Sequence, residues 1–206
     1  MRIVCLFSGG KDSVFATFWA LAHGFDIVLL TVKAEEDSTM FHHPNIDKTK
    51  LQAKALELKQ VFVQTDEKSW HEDLKKAIKK MKVGGLVGGA IASEYQKRRF
   101  EKICEELDIV SYAPLWHKED ELLDEMTKYF DIYVTAVAAE GLGPELLGKP
   151  FKELLAKNAN VHKFLEGGEG ETFVANAPFF KKAIRIKKWK KTWDGVRGNA
   201  DIEETG

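Results

Sequence analysis

Strand-length apolar runs alternate with helix-period segments over the first two thirds of this 206-residue chain, and that order restricts the fold more than any other feature. Ile3 to Phe7 reads as a strand, Lys11 to His23 as a helix burying Val14, Phe15, Phe18, Leu21 and Ala22, and Ile27 to Val32 as the next strand. Leu51, Ala55 and Leu58 mark a helix, and Val61 to Val63 a short strand. Leu74, Ala77, Ile78 and Met81 give a further helix that stops at Gly84-Gly85, and Leu86-Val87 opens a strand running into Gly88-Gly89. Ser93 with Gln96 is a capping box for a helix whose apolar stripe is Phe100, Ile103, Cys104 and Leu107. Strand then helix, repeated, predicts an α/β fold: a doubly wound parallel sheet with helices on both faces. Ligands in such folds collect at the carboxyl ends of the strands.

The alternation weakens after Pro114. A helix near Glu119 to Lys128, a strand Ile132 to Ala139, a loop Glu140 to Pro150 and a helix from about Phe151 to Phe164 are expected, followed by the glycine-rich stretch Glu166 to Thr172. Asp194-Gly195 signals a hairpin turn between Ile184 to Trp193 and Val196 to Ile202. The expected organisation is a first, parallel-sheet domain, residues 1–116, and a smaller α+β second domain, residues 117–206.

Composition excludes several classes. Only Cys5 and Cys104 are present, with no C-x-x-C, which rules out a disulfide framework, a Cys-only zinc site and most thiol redox chemistry. Each lies among apolar residues and reads as a small buried hydrophobe. No apolar run approaches the ~20 residues of a membrane span, and Met1-Arg2 leads straight into a strand, so a cytoplasmic protein is expected. The charges nearly cancel, 31 Lys and Arg against 32 Asp and Glu. That total hides a basic tail: residues 181–206 hold eight basic and four acidic side chains, net +4, against net −5 before them. Charge alone leaves nucleic acid open as a partner.

The most informative residues are Ser8-Gly9-Gly10-Lys11-Asp12-Ser13, between the first strand and the first helix. Two glycines let the backbone turn sharply and bring N–H groups to an anion, and the helix start adds its positive dipole end. Ser8 and Ser13 add hydroxyls and Lys11 a charge. Asp12 is repulsive beside phosphates unless it caps the helix or holds a cation such as Mg²⁺. A Walker A loop would need G-x-x-x-x-G-K-[ST], which is absent here.

The hexad resembles the S-G-G-x-D-S loop of the N-type ATP pyrophosphatases, or PP-loop enzymes, which hold the pyrophosphate part of ATP and form AMP. Gly89-Ala90-Ile91-Ala92-Ser93-Glu94-Tyr95-Gln96, with Arg99 and Glu101, resembles the G-A-[IL]-x-S-x-Y-Q motif of the diphthine-ammonia ligase family. Gly141-Leu142-Gly143, Leu147-Gly148-Lys149 and Glu166-Gly167-Gly168-Glu169-Gly170-Glu171-Thr172-Phe173 are similar to that family's later segments. Ser38, Met40, Phe41 and His42 match a looser one.

The resemblance implies a HUP/Rossmann-like ATP domain and a second domain that binds substrate. It also implies a reaction: the carboxylate of diphthine, a modified histidine on elongation factor 2, attacks the α-phosphate of ATP, and ammonia then displaces AMP to leave the amide. An acyl-adenylate makes sense because a carboxylate is a poor acyl donor. No glutaminase-sized domain accompanies the chain, so free ammonium is the expected donor. The short chain fits the family's archaeal members, because eukaryotic relatives carry extra C-terminal domains.

The implied site has three parts. Ser8, Gly9, Gly10, Lys11, Asp12 and Ser13 bind ATP, with Asp12 the Mg²⁺ contact and Lys11 and Asp12 acting in catalysis. Gly88 and Gly89 either leave room for the nucleotide or form a helix-entry turn. Tyr95 and Gln96 face substrate, and Arg99 opposes phosphate charge unless it is a solvated surface residue. Glu166, Gly167, Gly168 and Thr172 bind substrate, with Glu169 and Glu171 acting on ammonium or on the trimethylammonium cation. Three Glu among three Gly also describe a solvated loop.

Gly170 and Glu140 depart from the residues typical of the family. Adjacent His42-His43 is a poor chelator. Trp70, Trp116, Trp189 and Trp193 read as packing, with Trp116 the best candidate for a methylammonium contact. Two alternatives stay open: an AMP-forming enzyme that modifies tRNA, and a non-catalytic nucleotide-binding module. The basic tail is either an edge strand protected by Lys or a contact for the translation machinery.

Overall fold

The computed structural model describes residues 1–34, 44–157 and 159–206. The sequence features at Ser38, Met40, Phe41, His42 and His43 lie outside the described residues. The chain divides into two compact units, the first taking residues 1–8, 12–42 and 57–117 so far as they are described, the second 9–11, 43–56 and 118–206.

In the first unit five parallel strands, β1 (Arg2–Leu6), β2 (Asp26–Ala34), β3 (Lys59–Thr65), β4 (Gly85–Val87) and β5 (Val110–Tyr112), lie in the order β3-β2-β1-β4-β5. Helix α1 (Lys11–Ala22) follows β1, and α3 (Trp70–Met81) and α4 (Glu94–Leu107) follow β3 and β4, whereas α2 (Thr49–Leu56), between β2 and β3 in sequence, belongs to the second unit. Ile3, Val4 and Cys5 of the central strand are fully buried. Successive strand residues face opposite sides. Val4, with Leu30, Val63 and Leu86, packs on Trp70, Leu74 and Ile78 of α3 and Ile103 and Cys104 of α4, while the Cys5 thiol meets Thr17 of α1. The sheet is thus covered on both faces, doubly wound as the alternation predicts, and the buried middle of its central strand, Ile3 to Cys5, is apolar at every position. Both cysteines are free and buried. Burial pushes the Cys5 thiol up to about 12, despite an opposing hydrogen bond with Thr17, and raises Cys104 as well. Neither is poised as a nucleophile.

The second unit is an antiparallel sheet of order β7-β6-β9-β8. It comprises helix α5 (Glu119–Tyr129), β6 (Asp131–Val137), α6 (Phe151–Ala156), β7 (Gly170–Asn176), β8 (Ile186–Trp193) and β9 (Gly198–Thr205). Its four-stranded sheet with flanking helices is the α+β C-terminal part expected from the sequence. Helix α6 is much shorter than the expected run to Phe164. It ends at Ala156, where the Lys157 N–H turns back to the Leu154 carbonyl at 3.1 Å.

The glycine-rich stretch becomes strand at Gly170, paired with β6. A Cβ at Gly170 would lie 2.6 Å from the Ala136 carbonyl oxygen, beside a register irregularity between Val134 and Ala136, so this backbone requires glycine. The hairpin forms as expected, its Asp194 carboxylate accepting from the N–H groups of Val196 (2.8 Å) and Arg197 (2.6 Å). Strand β8 is an edge of the sheet and carries the exposed Lys187, Lys188, Lys190 and Lys191. Among the described residues no helix is long and apolar enough to cross a membrane.

Candidate active site

Strand order reverses between β1 and β4, and the segments following these two strands are the hexad and Gly88-Gly89. In a doubly wound sheet that reversal opens the crevice where ligands bind. Ser8 and Ser13 turn their hydroxyls toward each other at 3.3 Å, and the Ser8 N–H donates to Ser13 Oγ at 3.3 Å. Asp12 lies in the first turn of α1, half-buried, with one carboxylate oxygen enclosed.

The two glycines after β4 differ. A Cβ on Gly89 would meet the Asp12 carbonyl carbon at 3.0 Å and the Ser13 nitrogen at 3.1 Å, whereas one on Gly88 would touch only a Phe100 ring carbon at 3.8 Å. Gly89 therefore lets the start of α1 pack tightly on β4, a use the sequence does not reveal.

The tip of the hexad, Gly9 to Lys11, belongs to the second unit. Gly9 has φ +81°, a conformation that favours glycine, and its carbonyl accepts from the Val174 N–H (3.1 Å) and Gln52 Nε2 (2.8 Å). The Lys11 N–H donates to Thr172 Oγ1 at 3.1 Å. Lys11 itself is 3% exposed, and its ammonium donates to the Phe164 carbonyl at 2.6 Å, 5.6 and 5.4 Å from the ring centres of Phe151 and Phe164. The geometry thus brings Lys11 and Thr172 together, two residues the sequence assigns to different ligands. Gln52 is the residue sequence reasoning missed. A Gln on a short helix reads as solvent-facing, yet this one is wholly buried.

On α4 the Ser93 hydroxyl accepts from the Gln96 N–H at 3.4 Å, as the capping box predicts. Arg99 lies between two rings, its guanidinium carbon 4.4 Å from the centre of Trp70 and 4.1 Å from that of Tyr95. Tyr95 is 61% exposed, and Gln96 is exposed beside it. This stack fixes the Arg99 plane. Trp116 carries the Lys97 ammonium 5.1 Å from its ring centre, so its face already holds a cation. Trp70 is core, Trp189 packs on Tyr133 and against Gly148, and Trp193 is partly exposed.

Glu169 shapes its own loop. Its carboxylate accepts from the N–H groups of Gly167 (2.7 Å) and His162 (3.1 Å). Partial burial opposes ionisation, but the backbone donors outweigh it and hold the carboxyl below the ordinary Glu range. Gly167 and Gly168 are exposed, while Glu166 and Glu171 are half-buried. Strand alternation sets Glu171 on the face of β7 opposite Thr172.

Among the described residues one group could approximate a metal site, His71 with Glu72 and Glu106. The Lys75 ammonium already bonds both carboxylates, at 2.6 and 2.8 Å.

The glycine-bearing hexad stands at the strand-order reversal of a doubly wound sheet, the place where proteins of this fold class take their ligands. The chain belongs to the diphthamide synthase family, whose N-terminal domain model matches residues 1–111 and whose C-terminal domain model matches residues 118–206. It is similar to the diphthine–ammonia ligase of Mus musculus, 35% identical over 90% of this chain and 83% of that one. The Schizosaccharomyces pombe relative of the same name is 32% identical over 89% of this chain but only 36% of its own length. Extra length therefore does not mark every eukaryotic relative, and chain length does not separate archaeal from eukaryotic sources. Among solved structures the chain is similar to a predicted tRNA methyltransferase subunit from Methanocaldococcus jannaschii. That likeness has TM-score 0.48 and 17% identity and covers 69% of this chain and 80% of that one.

Proposed function

We propose that the chain is an AMP-forming amide ligase that joins ammonium to the carboxylate of diphthine on elongation factor 2. The observation that carries this is the placement of Ser8 to Ser13 at the strand-order reversal, in a chain matched along both halves by the diphthamide synthase family. The Ser8 and Ser13 hydroxyls, the backbone around Gly10 and the start of α1 receive the pyrophosphate end of ATP. Asp12 is the residue that would hold Mg²⁺. A single carboxylate, completed by phosphate oxygens and water, is how this ion usually sits beside a nucleotide.

The substrate carboxylate oxygen bonds to the α-phosphorus as the bond to pyrophosphate breaks, giving an acyl-adenylate. Ammonia then attacks the acyl carbon and AMP leaves. Ammonium must lose a proton first. Glu169, held ionised by backbone donors, serves the shape of its loop, which leaves Glu171 and Glu166 as the acids for ammonium and for the trimethylammonium group. Arg99, stacked between Trp70 and Tyr95, offers a fixed charge for the developing phosphate, and the exposed Tyr95 and Gln96 beside it are the residues we assign to substrate contact. Lys11 braces the loop instead of contacting phosphate, since its ammonium lies on Phe164.

The test is an incubation of the purified chain with ATP, Mg²⁺ and ammonium, with either diphthine-bearing elongation factor 2 or bulk tRNA. AMP and pyrophosphate appearing only with the factor, together with the mass change of amide formation, supports the assignment. Release driven by tRNA would favour an RNA-modifying enzyme.

A further inference from the structure

Gln52, outside the hexad and far from it in sequence, holds the tip of the loop. It sits in α2, is 0% exposed, and its Nε2 donates at 2.8 Å both to the Gly9 carbonyl and to the Val174 carbonyl of β7. Two carbonyl acceptors can be met only by the amide NH₂, so the orientation of the side chain is set. Its Oε1 is buried with no hydrogen-bond partner among the described residues. That oxygen lies 2.3 Å from where a Cβ on Gly9 would stand, so Gln52 also excludes every side chain from position 9.

The consequence for the loop follows from peptide geometry. In a planar trans peptide the carbonyl of one residue and the N–H of the next point in opposite directions. Gln52 and the Val174 N–H fix the Gly9 carbonyl on the β7 side, which sets the plane of the peptide joining Gly9 to Gly10. Thr172 takes the next N–H, that of Lys11, back toward β7. Adjacent peptides at the tip are thus set by partners more than 40 positions away in sequence.

We infer that Gln52 is a positioning residue for ATP: by holding the Gly9 carbonyl it sets the peptide plane at the loop tip, and with it the shape of the loop that receives the phosphates. This rests on the proposed ATP-binding role of the hexad and deepens it. Val174 and Thr172 belong to the strand that continues the Glu-rich motif, so part of that motif serves the loop.

The experiment measures ATP affinity by calorimetry with Mg²⁺, the KM values for ATP and ammonium, and the melting midpoint, in the full chain and in Gln52→Met and Gln52→Glu. Gln52→Met keeps length and volume but has no donor. The expected result is an ATP Kd raised several-fold to about tenfold, with the ammonium KM within about twofold of the parent, because a lost hydrogen bond of this kind is worth up to about a factor of ten. A folded Gln52→Met with ATP affinity within about twofold of the parent overturns the inference. So does a variant in which the ATP and ammonium KM values rise together with a falling melting midpoint, which is the signature of packing alone.

Gln52→Glu sets a carboxylate against two carbonyl oxygens. It should bind ATP more weakly still and recover as pH falls and the acid gains a proton to donate. Absence of that recovery counts against the inference even if Gln52→Met does not fold. A parent chain that binds no ATP would instead remove the functional assignment itself.

Discussion

The ammonium of Lys11 donates to the carbonyl oxygen of Phe164 across 153 positions of sequence, at 2.6 Å. A lysine in a phosphate loop ordinarily suggests a phosphate contact, but this one is buried against the rings of Phe151 and Phe164. Removing its charge should therefore affect folding before it affects the nucleotide. Lys11→Met keeps most of the stem and leaves the buried carbonyl short of a donor, a loss of about 1–3 kcal/mol. Denaturant unfolding should show that loss, with ATP affinity changed only a few-fold. Unchanged stability with a large loss of ATP affinity would put the ammonium on the phosphates.

Gly88 and Gly89 give a paired comparison. Gly89→Ala forces a methyl to within 3.0 Å of the backbone at Asp12, while Gly88→Ala meets nothing nearer than 3.8 Å. Overpacking of this kind costs about 1–3 kcal/mol. Gly89→Ala should lower the melting midpoint and AMP formation together, and Gly88→Ala should leave the midpoint close to the parent. Equal behaviour of the two would remove the packing explanation.

What the sequence made legible was what depends on neighbours in the chain. The runs of β1 and β2, the cap at Ser93, the Asp194-Gly195 turn and the hexad all announce themselves within a few residues. Strand β5 was missed because only three residues, Val110 to Tyr112, follow the left-handed Asp108 that ends α4. Strand β7 was missed because Gly170, Glu171 and Thr172 have loop-like composition, and their conformation comes from pairing with β6, more than 30 positions earlier. At the candidate site the residue types around the anion loop were readable, but their partners were not. Gln52, Thr172 and Phe164 reach the loop only through tertiary packing, and Glu169 could not be recognised as a loop brace before His162 and Gly167 were seen to bond it.

Glu169 carries a pH prediction. Its folded-state carboxyl lies below the ordinary Glu value, because backbone donors outweigh the opposing effect of burial. The stability it contributes is thus present above the unfolded value, near ~4.3, and is lost as pH falls through the lower folded value. Carboxyl-carbon NMR titration should find Glu169 ionised throughout the neutral range. Glu169→Gln should flatten the acid limb of stability and leave the neutral region of the pH–rate profile in place. A Glu169 titration near neutrality would restore it as the base.

The basic tail is predicted to keep an edge strand from pairing with other molecules. Lys187, Lys188, Lys190 and Lys191 line β8, where cross-strand Glu203 and Glu204 pair with Lys188 and Lys187, at 3.0 and 3.5 Å. Replacing Lys187, Lys188, Lys190 and Lys191 with Thr should increase self-association in sedimentation velocity and leave ATP affinity unchanged. A monomeric variant with impaired turnover on the protein substrate would assign the tail to substrate docking.

The most direct test of the central claim follows oxygen. Diphthine-bearing substrate labelled with ¹⁸O in its carboxylate is incubated with the chain, ATP, Mg²⁺ and ammonium, and the nucleotide product is weighed by mass spectrometry. The account predicts AMP carrying one ¹⁸O, in one-to-one yield with the amide. ADP as the product, or AMP without the label, would contradict it.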